Sequence, residues 1–161
     1  MLTHKGKKFD VKEFSPYGYD ERQYCSPGFD LPVGCLMRGV HGTFPEYHTS
    51  ADNLDFVSAE NLGLSLERCV SIVDVLEHNF RYRNTNPYGE PQLGKRGLYA
   101  TIGADSDAAR RQLAMLWVLN MSDGKHSLLD IAERSKVPFA EIAAIARLLE
   151  QHALLSVDDA D

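Results

Sequence analysis

Between a short apolar run and a long helical pattern lies Phe44-Pro-Glu-Tyr-His-Thr-Ser-Ala-Asp-Asn53, a polar loop carrying a phenol (Tyr47), an imidazole (His48) and a carboxylate (Asp52). An imidazole near a carboxylate can bind a metal, move a proton or orient a substrate. In α/β folds the loops at the carboxyl ends of strands carry such groups into a shared crevice. The same string is also good turn chemistry, and a lone His-Thr pair lacks the ligand spacing that marks a zinc site. On these residues alone His48 is either a hydrogen-bonded loop histidine or a ligand. Asp52 is either a turn former or the hydrogen-bond partner of His48. An acidic pair, Asp20-Glu21, stands where a short helix would begin, and there it complements the helix dipole.

Upstream of the loop runs Tyr17-Gly-Tyr-Asp-Glu-Arg-Gln-Tyr-Cys-Ser-Pro-Gly-Phe-Asp-Leu-Pro-Val-Gly34. The order is a Gly-x-Asp turn, a short helix with an aromatic, an apolar strand and then Tyr-His-Thr-x-x-Asp. It resembles the C-terminal part of the di-zinc aminopeptidases of the M28 type. Over nearly the whole chain, and most specifically in Asp-Glu-Arg-Gln-Tyr-Cys-Ser-Pro-Gly and Pro-Glu-Tyr-His-Thr-Ser, the sequence resembles a bacterial aminopeptidase-like family, DUF4910, which carries a C-terminal winged helix-turn-helix. That resemblance implies a hydrolase that removes N-terminal residues from a peptide or amide substrate, using water activated by two zinc ions. It implies His48 as the last zinc ligand and Tyr47 as the donor to the oxyanion of a tetrahedral intermediate. Asp20 and Glu21 would lie at the active-site rim, orienting a ligand or holding the substrate amine. Of five implied zinc-binding residues only His48 is visible, and the general-base Glu would precede Met1. The chain is therefore expected to be a C-terminal fragment, or a reading frame whose start has been lost, and inactive by itself.

The elements that position these residues follow from local pattern. Leu2 to Phe14 is weakly alternating and suits an edge strand or hairpin. Asp20 is placed to cap a helix through Cys25, ended by Pro27-Gly28. Leu31 to Met37 reads as a buried strand that aims the loop. Ser58 caps a helix to about Asn79, with Leu62, Leu66, Cys69, Val70, Val73 and Leu76 spaced to face a core. His78 reads as a partner of that helix's C-terminal dipole.

Phe80 to Gly97 is rich in Pro, Gly and Asn and reads as a linker or crossing segment, with a domain boundary near residue 83. Leu98 to Ile102 reads as a strand. A helix from Asp105 or Ser106 should turn Leu113, Leu116, Trp117 and Asn120-Met121 inward and stop at Ser122-Asp-Gly124. Ser127 caps Leu128 to Ser135, Lys136-Val-Pro turns, and Phe139 to His152 follows with Ile142, Ile145, Ala146, Leu148 and Leu149 inward. Leu154 to Val157 returns as a strand. That order is a winged helix-turn-helix. The expected fold is thus α/β: the C-terminal portion of a zinc-aminopeptidase-like sheet domain over 1–82, then a small winged helix-turn-helix domain with its linker over 83–161.

The totals agree with an ordinary folded chain. The 161 residues are 43% hydrophobic and 25% charged, which excludes a collagen-like or disordered protein. The net charge of −6 argues against a nucleic-acid partner. So does the segment from Ser127 to His152, where Arg134, Lys136 and Arg147 face four carboxylates and Ala140, Glu141, Ala143 and Ala144 should lie outside. Docking on the catalytic domain, or a homo-oligomer formed through the C-terminal domain, suits that face better. No apolar run is long enough for a membrane helix and no signal peptide is evident, so a cytoplasmic location is expected. Cys25, Cys35 and Cys69, an odd number at wide spacing, read as small buried residues. Two alternatives to the hydrolase stand: a helix-turn-helix adaptor or regulator, and a peptidase-fold protein without peptidase activity.

Overall fold

The computed structural model describes residues 9–98 and 106–158. Two compact units divide the chain, one within Lys8–Cys69 and one from Val70 onward.

The first unit holds little regular structure. Helix α1 (Asp20–Tyr24) is followed by the tight Ser26–Phe29 turns, and Leu31 N–H returns to the Tyr24 carbonyl. Asp20 is not the cap: Tyr19 takes that position, and the Glu21 carboxylate accepts from the Tyr19 N–H at 3.2 Å. The strand expected over Leu31 to Met37 is an exposed extended segment without a ladder partner, and 9–14 is likewise not a strand. A lone extended segment cannot satisfy its own backbone, so strands need neighbours that the described residues of this unit do not provide. The cysteines also depart from expectation: Cys35 and Cys69 are exposed and Cys25 is half-buried.

Helix α2 (Ala59–His78) runs across the division between the units. Ser58 caps it as expected, its hydroxyl accepting from Asn61 N–H at 3.2 Å. Its apolar stripe, expected to face a core, is exposed instead; the face carrying Leu64, Ile72 and Val75 is half-buried. At its end the His78 ring meets the Asp74 carboxylate at 3.2 Å and the Asp74 carbonyl at 2.9 Å.

The second unit is built as a winged helix-turn-helix. Strand β1 (Arg81–Asn84) lies between β2 (Asp123–Ser127) and β3 (Leu155–Val157), both antiparallel to it. The residues expected to open a linker thus form the central strand. Arg-Tyr-Arg alternates about the sheet, burying Tyr82 between exposed arginines. A bulge between Arg81 and Arg83 re-registers β1 on β2. Gly124 lets β2 start there: its φ of +80° suits glycine, and a Cβ would run into the Arg83 guanidinium at 2.8 Å. Arg83 in turn holds Asp158 at 3.0 Å.

Three helices cover this sheet: α3 (Ser106–Met121), α4 (Leu128–Ser135) and α5 (Phe139–Gln151). A full capping box starts α4, where Ser127 and Asp130 bond reciprocally. Lys136, at φ +60°, ends it in the left-handed cap. The core comprises Val118, Leu128, Ile131, Ile142, Leu149 and Leu154 with their neighbours. On α3 the buried residues are Ala114, Met115, Val118, Leu119 and Met121. Leu113, Leu116 and Trp117 line a groove of about 640 Å³ with Asn84, Pro91 and Asp123. On α5 Leu148 is half-buried, whereas Ala143, expected outside, is buried. Of the strand expected over 98–102, only Leu98 is described, and it is not in a strand; the rest lies outside the described residues.

Candidate functional site

The polar loop folds as consecutive turns. Tyr47 N–H bonds Phe44, Thr49 N–H bonds Glu46, and Asp52 N–H bonds Thr49. Thr49 Oγ1 also donates to the Glu46 carbonyl at 2.9 Å, which tightens the bend around His48. His48 itself has φ +58°, a left-handed conformation uncommon for a residue with a side chain and often found where function fixes the backbone. Phe44 supports the loop from beneath, stacked on Phe56 at 6.0 Å and edge-on to Tyr47 at 5.6 Å.

Two of the four expected site residues come together. The Tyr47 and His48 rings meet edge to face with centroids 4.3 Å apart. Tyr19, from the turn before α1, joins them: its hydroxyl is hydrogen-bonded to the Tyr47 hydroxyl and lies 3.4 Å from His48 Nε2. His41 packs beside the group, its ring 5.6 Å from Tyr19 and 6.2 Å from Tyr47, with Tyr17 at 5.7 Å. The Tyr19 bond, with desolvation added, pushes the Tyr47 phenol up to about 12, so it stays protonated at neutral pH.

Glu21 belongs to the cluster only indirectly, through the Tyr19 N–H. Asp20 heads α1 and is exposed. The His48 ring has Tyr19 and not Asp52 as its hydrogen-bond partner, and the Asp52 segment serves the turn. Tyr17, Tyr19 and His41 are the members that the sequence did not reveal. Tyr19 stands 28 residues before Tyr47 in a string that reads as turn chemistry, and only the fold brings the two together.

Zinc needs three or four nitrogen, sulfur or oxygen ligands in a tetrahedral shell. Among the described residues no group of three His, Cys, Asp or Glu side chains could hold a metal. His48 is one donor, and these residues do not by themselves fit a zinc ion.

A chain whose loops gather tyrosines and histidines, joined to a winged helix-turn-helix unit, has recognisable counterparts. Residues 1–79 match the family described as domain of unknown function DUF4910, and residues 80–157 match the winged helix-turn-helix family. A curated relative from Clostridium acetobutylicum, provisionally named a polysaccharide biosynthesis protein with aminopeptidase-like domain, is 48% identical over 157 residues. The match takes in 98% of this chain and 36% of the relative. A crystal structure of a provisionally named peptidase from the same organism is similar at 44% identity and a TM-score of 0.85, over 98% of this chain and 34% of that one. The chain thus spans about a third of the length of the proteins it matches.

Proposed function

We propose that residues 9–79 contribute one wall of the active site of an aminopeptidase-like hydrolase of the M28 zinc type, acting on the N-terminus of a peptide or on a related amide. The observation that supports this reading is the Tyr19–Tyr47–His48 contact on a left-handed loop. In the free protein Tyr47 O–H and His48 Nε2–H both donate to the Tyr19 oxygen, the direction that raises the Tyr47 pKa. With substrate present, Tyr19 O–H turns to donate to Tyr47, and the Tyr47 O–H is released to donate to the developing oxyanion of a tetrahedral intermediate. The same arrangement leaves His48 Nδ1 unprotonated, as a metal ligand must be. Glu21 and Asp20 lie on the α1 side, where carboxylates would attract a substrate ammonium. Two zinc ions would supply activated water when bound, but their remaining ligands and the general base must come from residues other than these.

The test joins this chain, by co-expression, to the portion of the Clostridium acetobutylicum relative that it does not span, with an aminoacyl p-nitroanilide as probe. Hydrolysis is expected only with both parts present. His48→Ala should abolish it together with bound zinc, and Tyr47→Phe should lower kcat by about 10²–10³-fold with little change in KM. Hydrolysis indifferent to both substitutions, or none at all in an assembled complex, overturns the reading.

A further inference from the structure

Helix α2 carries a seam with no partner among the described residues. Leu62, Leu66, Cys69, Val73 and Leu76 follow one another at spacings of four, three, four and three, a 3.5-residue repeat that keeps one stripe facing a neighbouring element. Yet Leu62 is 61% exposed, Leu66 65%, Val73 54% and Leu76 73%, and Cys69 is exposed with them. Beside the seam Val70 is 59% exposed. No described residue from 9 to 79 is fully buried, and Phe29, Leu31, Leu54 and Phe56 also stand in the open. Apolar area of this extent is ordinarily covered by another surface.

We infer that the Leu62–Leu76 seam of α2 is a docking surface for the remaining part of the aminopeptidase-like fold, the portion by which the relatives exceed this chain. One observation selects that occupant. The relatives carry close to two-thirds of their length outside the matched region, enough for a complete α/β layer. A second copy is the competing occupant, because Glu60, Glu67 and Asp74 lie away from the seam and would not face one another across it, and the test separates the two. This surface rests on the aminopeptidase-like reading of the fold but not on catalysis.

Cys69, in the middle of the seam, reports on occupancy without disturbing it. In a Cys25→Ser, Cys35→Ser background, alkylation of Cys69 by a maleimide is followed in the 161-residue chain alone. It is then repeated with the co-expressed portion of the Clostridium relative that this chain does not span. The expected result is a one-to-one complex by light scattering, with alkylation slowed about tenfold or more. Leu66→Asp with Val73→Asp should weaken the complex by about a hundredfold or more. A homodimer of the chain alone with Cys69 already protected overturns the inference, as does a complex in which Cys69 stays fast, or no complex. A complex that protects Cys69 but hydrolyses nothing keeps the surface and removes the enzyme.

Discussion

Asp123 opens β2 and Asp130 lies in the first turn of α4, and both are held below the usual carboxylate range. Backbone N–H groups are the leading cause in each: Lys125 N–H for Asp123, which falls from 3.8 to about 2, and Ser127 N–H for Asp130. His126 adds to the first, its ring 3.1 Å from the Asp123 carboxylate. A carboxyl group whose folded pKa lies below its unfolded value binds fewer protons in the native state. Its stabilisation is complete above about pH 4 and disappears as pH falls toward the folded pKa. The winged helix-turn-helix unit should therefore lose thermal stability between about pH 4 and pH 2, in melts followed by circular dichroism. Asp123→Asn with Asp130→Asn should flatten that slope; an unchanged slope would show that other carboxyl groups carry it. The reciprocal bond of Ser127 with Asp130 came from the structure, while the Ser127 cap was readable in advance because a cap is local in sequence. The Tyr19, Tyr47 and His48 contact was not, because it joins two turns that are far apart in the chain.

At the level of elements, what could be read depended on whether an element's partner is among the described residues. Helix α4 emerges where its cap and apolar spacing place it, and α5 where the Lys136-Val-Pro turn and its apolar spacing place it, and both bury that face against their own unit. Leu149 is fully buried and Leu148 half-buried on the same turn of α5. Leu149→Ala should cost about 2–5 kcal/mol in urea unfolding of that unit, and Leu148→Ala markedly less; equal losses would contradict the packing. The stripe of α2 was equally clear as a stripe, yet periodicity names a face without naming what covers it. Strands β1 and β2 escaped notice for another reason. Arg-Tyr-Arg-Asn offers a single apolar side chain to the core, and Asp-Gly-Lys-His reads as a turn, so neither carries the alternation by which strands are recognised.

For the molecule as a whole, a helix-turn-helix unit raises the question of nucleic acid. The outer face of α5 shows Ala140, Ala144, Arg147, Glu150 and Gln151, and the chain carries a net charge of −6. Phosphate binding rests on basic donors, which are few here. Fluorescence anisotropy with a random 20-base-pair duplex at about 150 mM salt should show no binding tighter than roughly 10⁻⁵ M; sub-micromolar binding would assign the unit to DNA. No helix among the described residues is long and apolar enough to cross a membrane. The order β2-β1-β3 has a temporal consequence. Tyr82, at the sheet's centre, pairs with Val157, so β1 is made before both of its partners, with β2 following first and β3 last. The sheet can close only after residue 157 has cleared the exit tunnel, and until then the nascent central strand offers the edge that β3 will cover to any chaperone within reach.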